Sequence, residues 1–364
     1  MNLYTHDPNS NVNIVLKTVG NVCNLSCEYC FEKVKNVESN MITPNELDEL
    51  IKSISGTCSI VFHGGEPLML GEKRFEELLV VVEKYYPSKI INIRLQTNGT
   101  LLNKDWIKLL FVKYKKLGIE IAISLDGTEN MNRFRVDNGA RSTYQRVINA
   151  YQLLDRYGIK AGMLSVITKG GLSYFREYVD LIEQIPNLAF VKINALFNME
   201  QNQLTYNSIS PMEYAEFIYN VACCYIERNL YRKIAVEPIL SILQKINGKK
   251  SHYCNYSDRK CFYYLSVYPG NIIGPCDCFS INDFYIGALH KDISINEMVS
   301  KYLETQKIGV LKELIEKCED CDIKDFCCGG CLSQRYYFLN NSALTEEFCA
   351  SKHFLFNKFN KYRI

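Results

Sequence analysis

Asn13-Ile14-Val15-Leu16-Lys17-Thr18-Val19-Gly20-Asn21-Val22-Cys23-Asn24-Leu25-Ser26-Cys27-Glu28-Tyr29-Cys30 joins an apolar, β-branched run to a loop carrying three cysteines. The run Asn13–Val19 reads as a strand, and the cysteines follow it at intervals of three residues, then two. Three thiolates on one short loop suit three corners of a [4Fe–4S] cube, because soft sulfur ligands favour iron–sulfur clusters. No fourth cysteine lies at local spacing, so one iron would stay open to a small molecule. A purely electron-transferring site does not need that opening. The competing readings are a zinc site, which usually takes four ligands with paired two-residue spacings, and three incidental thiols.

Moving outward, short apolar runs recur at Ser59–His63, Ile91–Gln96, Ile119–Leu125, Ala161–Thr168 and Phe190–Leu196. Between them lie stretches of helical spacing at Pro44–Ser55, Arg74–Tyr85, Trp106–Leu117, Tyr144–Tyr157 and Leu172–Ile185. Strands alternating with helices predict βα units and a parallel sheet, either doubly wound or barrel-like. In such sheets the chemistry sits at the C-terminal ends of the strands. Polar punctuation falls at those ends: His63-Gly64-Gly65-Glu66-Pro67, Thr97-Asn98-Gly99 and Asp126-Gly127. After Gln201 the pattern changes to two helical stretches, Pro211–Asn229 and Glu237–Ile246, and then to a cysteine-dense segment, Cys254–Cys349. The expected divisions are 1–200, a helical connection 201–253, and a loop-rich module 254–364 held by metal.

The chain has 364 residues, 47% of them hydrophobic and 23% charged, which is an ordinary globular composition and excludes disorder, collagen and coiled coil as the main class. Its 42 basic and 40 acidic residues leave a net charge of +2, so no long-range field favours nucleic acid or a membrane surface. Met1–Asp7 has no basic segment before an apolar run, so it does not read as a secretory signal, and no stretch is apolar enough for a membrane helix. A cytoplasmic, reducing location follows. There, 16 cysteines point to metal or thiol chemistry rather than to disulfides.

The Cys23-x3-Cys27-x2-Cys30 loop, with Asn24, Leu25 and Tyr29 inside it, resembles the signature of radical S-adenosylmethionine enzymes. Gly64-Gly65-Glu66-Pro67, Gln96-Thr97-Asn98-Gly99 and Ser124-Leu125-Asp126-Gly127 follow on successive strands in that family's order. The resemblance implies a partial (β/α)6, TIM-like barrel. It also implies that an open iron chelates S-adenosylmethionine, whose reductive cleavage gives a 5′-deoxyadenosyl radical that abstracts hydrogen. Gly64, Gly65 and Glu66 would contact the methionine amino group, and Ser124 and Arg135 the methionine moiety. Tyr29 and Leu196 would pack on the adenine.

Cys254, Cys261, Cys276, Cys318, Cys321, Cys327, Cys331 and Cys349 form a second constellation. It resembles the SPASM extension of the same superfamily, which binds two auxiliary [4Fe–4S] clusters, giving three in all. By that resemblance Cys254, Cys261, Cys276 and Cys331 hold one cluster and Cys318, Cys321, Cys327 and Cys349 the other. A pair of zinc sites, or tandem electron carriers without catalysis, are the competing readings. Cys328 neighbours a ligand and leaves the choice between 327 and 328 open. Cys58, Cys223 and Cys224 read as core, and Cys278 as a residue that could face substrate.

Asp277 occupies the position where sulfatase-maturing members carry a catalytic aspartate, acting as general base once hydrogen has been abstracted. His63 and Glu32 fall where those members tend to have glutamine and tyrosine, so both are expected in the substrate pocket. The expected activity is modification of a peptide or protein side chain: a carbon–carbon or thioether cross-link in a ribosomal peptide, or formylglycine formation in a sulfatase. A flavodoxin or ferredoxin would serve as electron donor. Only 22 residues precede Cys23, so no separate leader-binding domain is expected ahead of the barrel.

Overall fold

The computed structural model describes residues 11–37, 40–290 and 293–363; the reading of Met1–Asp7 lies outside them. Its six βα strands are β1 (Val12–Lys17), β2 (Cys58–His63), β3 (Ile90–Thr97), β4 (Glu120–Ser124), β5 (Ala161–Ile167) and β6 (Leu188–Ala195). They pair in parallel and in chain order. One face of each strand is closed by helices: Val12, Ile14 and Leu16 of β1 and Val191 and Ile193 of β6 are fully buried. The alternate residues, among them Asn13, Val15, Lys192 and Asn194, are only partly buried and line the barrel's inner face.

Helices α1 (Pro44–Ser53) and α2 (Glu72–Tyr85) cover this sheet, and α1 shows why the sequence places them. Thr43 caps its first turn, Glu46 closes the capping box, and Pro44 starts it. Leu47, Leu50 and Ile51 then point one face at the core. The third helical stretch is less regular than its spacing predicts. It opens as α3 (Lys104–Ile107), widens into a π turn at Lys108–Lys113 and closes as a 3-10 turn at Lys115–Leu117. Leu109 and Leu110 are consecutive and both buried, which the wider π turn accommodates. Helices α4 (Tyr144–Arg156) and α5 (Phe175–Gln184) complete the layer.

The remainder is wired into the same sheet. A small hairpin, β7 (Met199–Glu200) and β8 (Gln203–Leu204), precedes α6 (Pro211–Glu227). Inside the stretch expected to be a helical connection, β9 (Ala235–Glu237) pairs in parallel with β6, and α7 (Ile239–Ile246) follows. The cysteine-rich module returns to the opposite side: β10 (Tyr264–Tyr268) pairs in parallel with β1, and β11 (Ile272–Gly274) and β12 (Gly287–Ala288) add antiparallel beyond it. Among the described residues this gives ten strands in the order β12-β11-β10-β1-β2-β3-β4-β5-β6-β9. Five helices finish the chain: α8 (Ile295–Tyr302), α9 (Gln306–Glu316), α10 (Lys324–Cys327), α11 (Leu332–Phe338) and α12 (Ser342–Phe359). Among the described residues, no helix is long and apolar enough to cross a membrane.

Candidate active site

The loop after β1 is held at the barrel mouth by backbone contacts to a distant segment. Ser26 N–H donates to the Val136 carbonyl at 2.7 Å and Glu28 N–H to that of Phe134 at 3.1 Å. Cys23, Cys27 and Cys30 are free, partly buried thiols. Burial pushes the Cys23 thiol up to about 11, with the charges of Cys27 and Cys30 adding to the rise. Three mutually repelling thiols become favourable together only when a cation takes them as thiolates. Asn98 Nδ2 bonds Asn24 Oδ1 at 2.9 Å and reaches Cys23 Sγ at 3.8 Å, so the end of β3 steadies this loop.

Gly64, Gly65 and Glu66 lie beside the loop, but their close neighbour is the chain itself. Gly65 N–H donates to the Gly20 carbonyl and Glu66 N–H to that of Val22, both at 2.9 Å. A Cβ on Gly65 would fall 1.9 Å from the Val22 carbonyl oxygen. The Glu66 carboxylate is fully buried and already accepts from Thr97 Oγ1 at 2.6 Å, Asn98 N at 2.7 Å and Leu68 N at 3.1 Å. It therefore clasps the ends of β2 and β3 together. We expect Gly65→Ala to push the 20–23 segment away, at about 1–3 kcal/mol, and to lower first-cluster occupancy and S-adenosylmethionine cleavage together. Iron bound by the C-terminal cysteines should be unchanged in the same iron assay.

Tyr29, Asp126 and Arg135 form a buried triad. The Tyr29 hydroxyl donates to Asp126 Oδ2, and Arg135 Nη1 donates to the Tyr29 oxygen at 3.0 Å. Arg135 Nε is buried with no hydrogen-bond partner. An unpaired guanidinium nitrogen at this depth is costly, and a ligand carboxylate beside it would satisfy it. Ser124 ends β4, half-buried on the inner face, and Leu196 is buried just past β6. The residues present therefore fit an amino-acid-bearing cofactor next to a three-thiol cluster.

Across the mouth lies a charge network whose lysines the spacing of the sequence did not reveal. Lys17 Nζ, with a fully buried side chain, contacts Glu32 Oε1 at 2.5 Å, His63 Nδ1 at 3.0 Å and Asp277 Oδ2 at 3.0 Å. Lys35 Nζ contacts the same Glu32 oxygen at 2.8 Å, Tyr268 Oη at 3.1 Å and the Asp277 carbonyl at 3.0 Å. The ligand atoms of Glu32, His63 and Asp277 lie within 4.8 Å of one another, and the Lys17 ammonium fills the space a metal would take. Burial and the Lys17 charge push the His63 imidazole down to about 4, so it is neutral at pH 7. Donation from Lys17 to Nδ1 then leaves the ring proton on Nε2. Burial raises the Asp277 carboxyl, but Lys17, together with His63 and Lys35, outweighs it and holds the group ionised, well below the usual carboxylate range. One signal was available: Lys17 interrupts an apolar strand run.

The C-terminal cysteines gather in two groups. Cys276 N–H donates to the Cys261 carbonyl at 3.1 Å, and Lys260 Nζ ties the carbonyls of Cys254 and Gly330 together at 2.9 and 3.1 Å. Cys254 feels the charge of Cys331, Cys261 that of Cys331 and Cys254, and Cys276 that of Cys261 and Cys254, with Cys278 acting on Cys254, Cys276 and Cys331 from within the same group. Cys278 Sγ lies within 4.8 Å of Cys276 Sγ. Cys318, Cys321, Cys327 and Cys349 line a single cavity together with Arg335, Lys352 and His353. Cys328 does not line it. That residue adopts a left-handed φ of 47° and points its thiol at the Asp325 carbonyl, 3.6 Å away.

Residues 18–184 match the family model of the Radical SAM superfamily. Over 333 residues, 88% of each chain, the protein is 26% identical to the cysteine-type anaerobic sulfatase-maturating enzyme of Clostridium perfringens. Its structure is similar to that of anSMEcpe with bound AdoMet, with a TM-score of 0.80 and 26% identity over 97% of this chain and 98% of that one. SuiB of Streptococcus suis bound to S-adenosylmethionine shares the fold, with a TM-score of 0.62 and 20% identity over 88% of this chain and 72% of that one.

Proposed function

Because the chain carries a radical SAM domain across residues 18–184 and is an enzyme of radical chemistry, we propose that it oxidises a side chain of a peptide or protein substrate at the barrel mouth. Cys23, Cys27 and Cys30 would hold a [4Fe–4S] cluster, and Arg135, with Tyr29 behind it, would receive the carboxylate of S-adenosylmethionine. When bound, these groups supply a 5′-deoxyadenosyl radical for hydrogen abstraction. The two C-terminal quartets would hold auxiliary [4Fe–4S] clusters, with an external flavodoxin or ferredoxin as reductant.

The observation that carries the reading is the position of Asp277. It adjoins Cys276 of one quartet and shares Lys17 with Glu32, two residues past Cys30 of the first loop. A carboxylate therefore stands between the radical source and a thiol quartet. Oxidising a CH2–OH side chain to an aldehyde requires loss of a hydrogen atom, a proton and an electron; the same loss from CH2–SH gives a thioaldehyde, which water converts to the aldehyde with release of hydrogen sulfide. Asp277 would accept the proton, and the quartet beside it the electron. Lys17 keeps the carboxylate ionised and aimed, which weakens it as a base. That suits an O–H or S–H proton already made acidic by hydrogen abstraction at the adjacent carbon.

The sulfatase-maturating relatives favour formylglycine as the product. A second reading, a carbon–carbon or thioether cross-link, is favoured by Glu32 and His63, which line the pocket with an ion-pair network rather than a neutral amide and phenol. Anaerobic incubation of the reconstituted enzyme with a sulfatase-motif peptide bearing cysteine or serine separates the two. An aldehyde that couples to a hydrazine probe establishes formylglycine, and an unchanged peptide sets that product aside. We expect Asp277→Asn to cleave S-adenosylmethionine at near-parent rate and to lose product by roughly 10²–10⁴-fold, the usual contribution of a general base. Full product yield would remove Asp277 from that role.

A further inference from the structure

Four cations, three in the cysteine module and one on β6, face its thiols without an ion-pair partner among the described residues. Lys260 is 2% exposed, Lys352 7% and Arg335 8%, and Lys192 reaches from the inner face of β6 toward Cys254 and Cys276. Among the described residues, none of the four has a carboxylate within 4.0 Å, whereas Lys17 and Lys35 nearby both do. Each cation adjoins a quartet. Lys260 bonds the carbonyl of Cys254 and that of Gly330, next to Cys331. Lys192 stands 5.1 Å from the Tyr253 ring, beside Cys254. Arg335 Nη1 donates to Cys318 Sγ at 3.3 Å, and Lys352 lines the cavity of the second quartet while sitting over the Phe348 ring at 5.1 Å.

An uncompensated buried cation costs several kcal/mol, and three buried in one module, with a fourth partly buried beside them, would be prohibitive. A cube held by four thiolates carries roughly two net negative charges when oxidised, and net charge and hydrogen bonds to sulfur set its potential. Two such cubes balance four cations, two to each quartet. We propose that Lys192 and Lys260 at one quartet, and Arg335 and Lys352 at the other, are the counter-charges of the two auxiliary clusters and raise their affinity for an electron. They are positioning residues: they touch neither substrate nor the reacting carbon. By making the quartet beside Asp277 a better acceptor, Lys192 would help draw the electron from the substrate radical.

The inference rests on both quartets holding clusters, and the test separates that premise from the proposal. Iron content of the reconstituted parent is measured first. About four irons in place of about twelve would overturn the reading of the quartets, and the counter-charge proposal with it. Given a full complement, each auxiliary cluster is then titrated by potentiometry with paramagnetic resonance detection. Lys192→Gln should make the first quartet's cluster bind its electron about tenfold more weakly, about 59 mV more negative for one electron, and Lys352→Gln should do the same at the second. Lys192→Arg and Lys352→Arg should stay at the parent potential. The Lys192 ammonium makes no hydrogen bond among the described residues, so its replacement tests charge without loosening the fold. Iron loss in Lys352→Gln but not in Lys352→Arg also supports the charge role. Unchanged potentials in the glutamine variants, or arginine variants behaving like them, would overturn it.

Discussion

Cys27→Ala will lower the iron of the reconstituted enzyme from about twelve to about eight atoms and reduce S-adenosylmethionine cleavage to background. The fold should survive, because the loop is held by the backbone bonds of Ser26 and Glu28 to Val136 and Phe134 rather than by its thiols. The two remaining thiols, Cys23 and Cys30, do not make a closed site, and no other cysteine stands ready to replace the third. The C-terminal quartets draw on residues 254–349 and share no thiol with this loop, so their eight irons should be retained. Both arms are read from one sample: iron by colorimetry, and 5′-deoxyadenosine by chromatography. Deoxyadenosine formed at parent rate would move the radical source away from Cys23, Cys27 and Cys30.

The residues that sequence could place share one property: their meaning is local. The strand runs were legible to within two or three residues because each alternates a helix-facing apolar residue with an inner-face one, as in Val12–Lys17. The three-cysteine loop was legible from spacing alone. Gly64 and Gly65 are also packed against the chain itself, Gly64 against the carbonyl of Gly20 and Gly65 against that of Val22, a requirement that no local pattern encodes. The irregular third helix hid because Leu109 and Leu110 fit an apolar helical face in either register. Lys17, Lys35 and Lys192 went unplaced for a different reason, although Lys17 interrupts an apolar run. Lys17 and Asp277 are 260 positions apart in the chain, and a lysine on an inner strand face reads as an ordinary polar alternation until β10 brings the module onto β1. Cys327 and not Cys328 lines the cavity with Cys318, Cys321 and Cys349, because Cys328 is left-handed and begins a turn that Gly329 and Gly330 continue at φ values of 71° and 62°.

Lys17→Met should be the most damaging single change away from the cysteines. The side chain is fully buried and supplies the ammonium shared by Glu32, His63 and Asp277. Glu32 would keep Lys35 at 2.8 Å, but Asp277 would lose its only ion-pair partner among the described residues while still bonded through its carbonyl to Lys35. Removing one side of a buried pair costs about 3–5 kcal/mol, a large share of the roughly 5–15 kcal/mol that holds most domains together. The variant should therefore melt well below the parent when both holoenzymes are scanned anaerobically at one heating rate. Without Lys17, burial is opposed only by the remaining neighbours, Lys35 among them, and the Asp277 carboxyl shifts toward the protonated form. Product formation should fall accordingly, while S-adenosylmethionine cleavage, which depends on the loop across the mouth, continues. Lys17→Met combined with Asp277→Asn removes the stranded charge and should recover part of the lost stability, a coupling of about 0.5–3 kcal/mol, with no recovery of product. A single variant that melts with the parent, or a double variant whose losses simply add, would show that Lys17 and Asp277 do not act as a pair, and the carboxylate beside Cys276 would then need another source of its orientation.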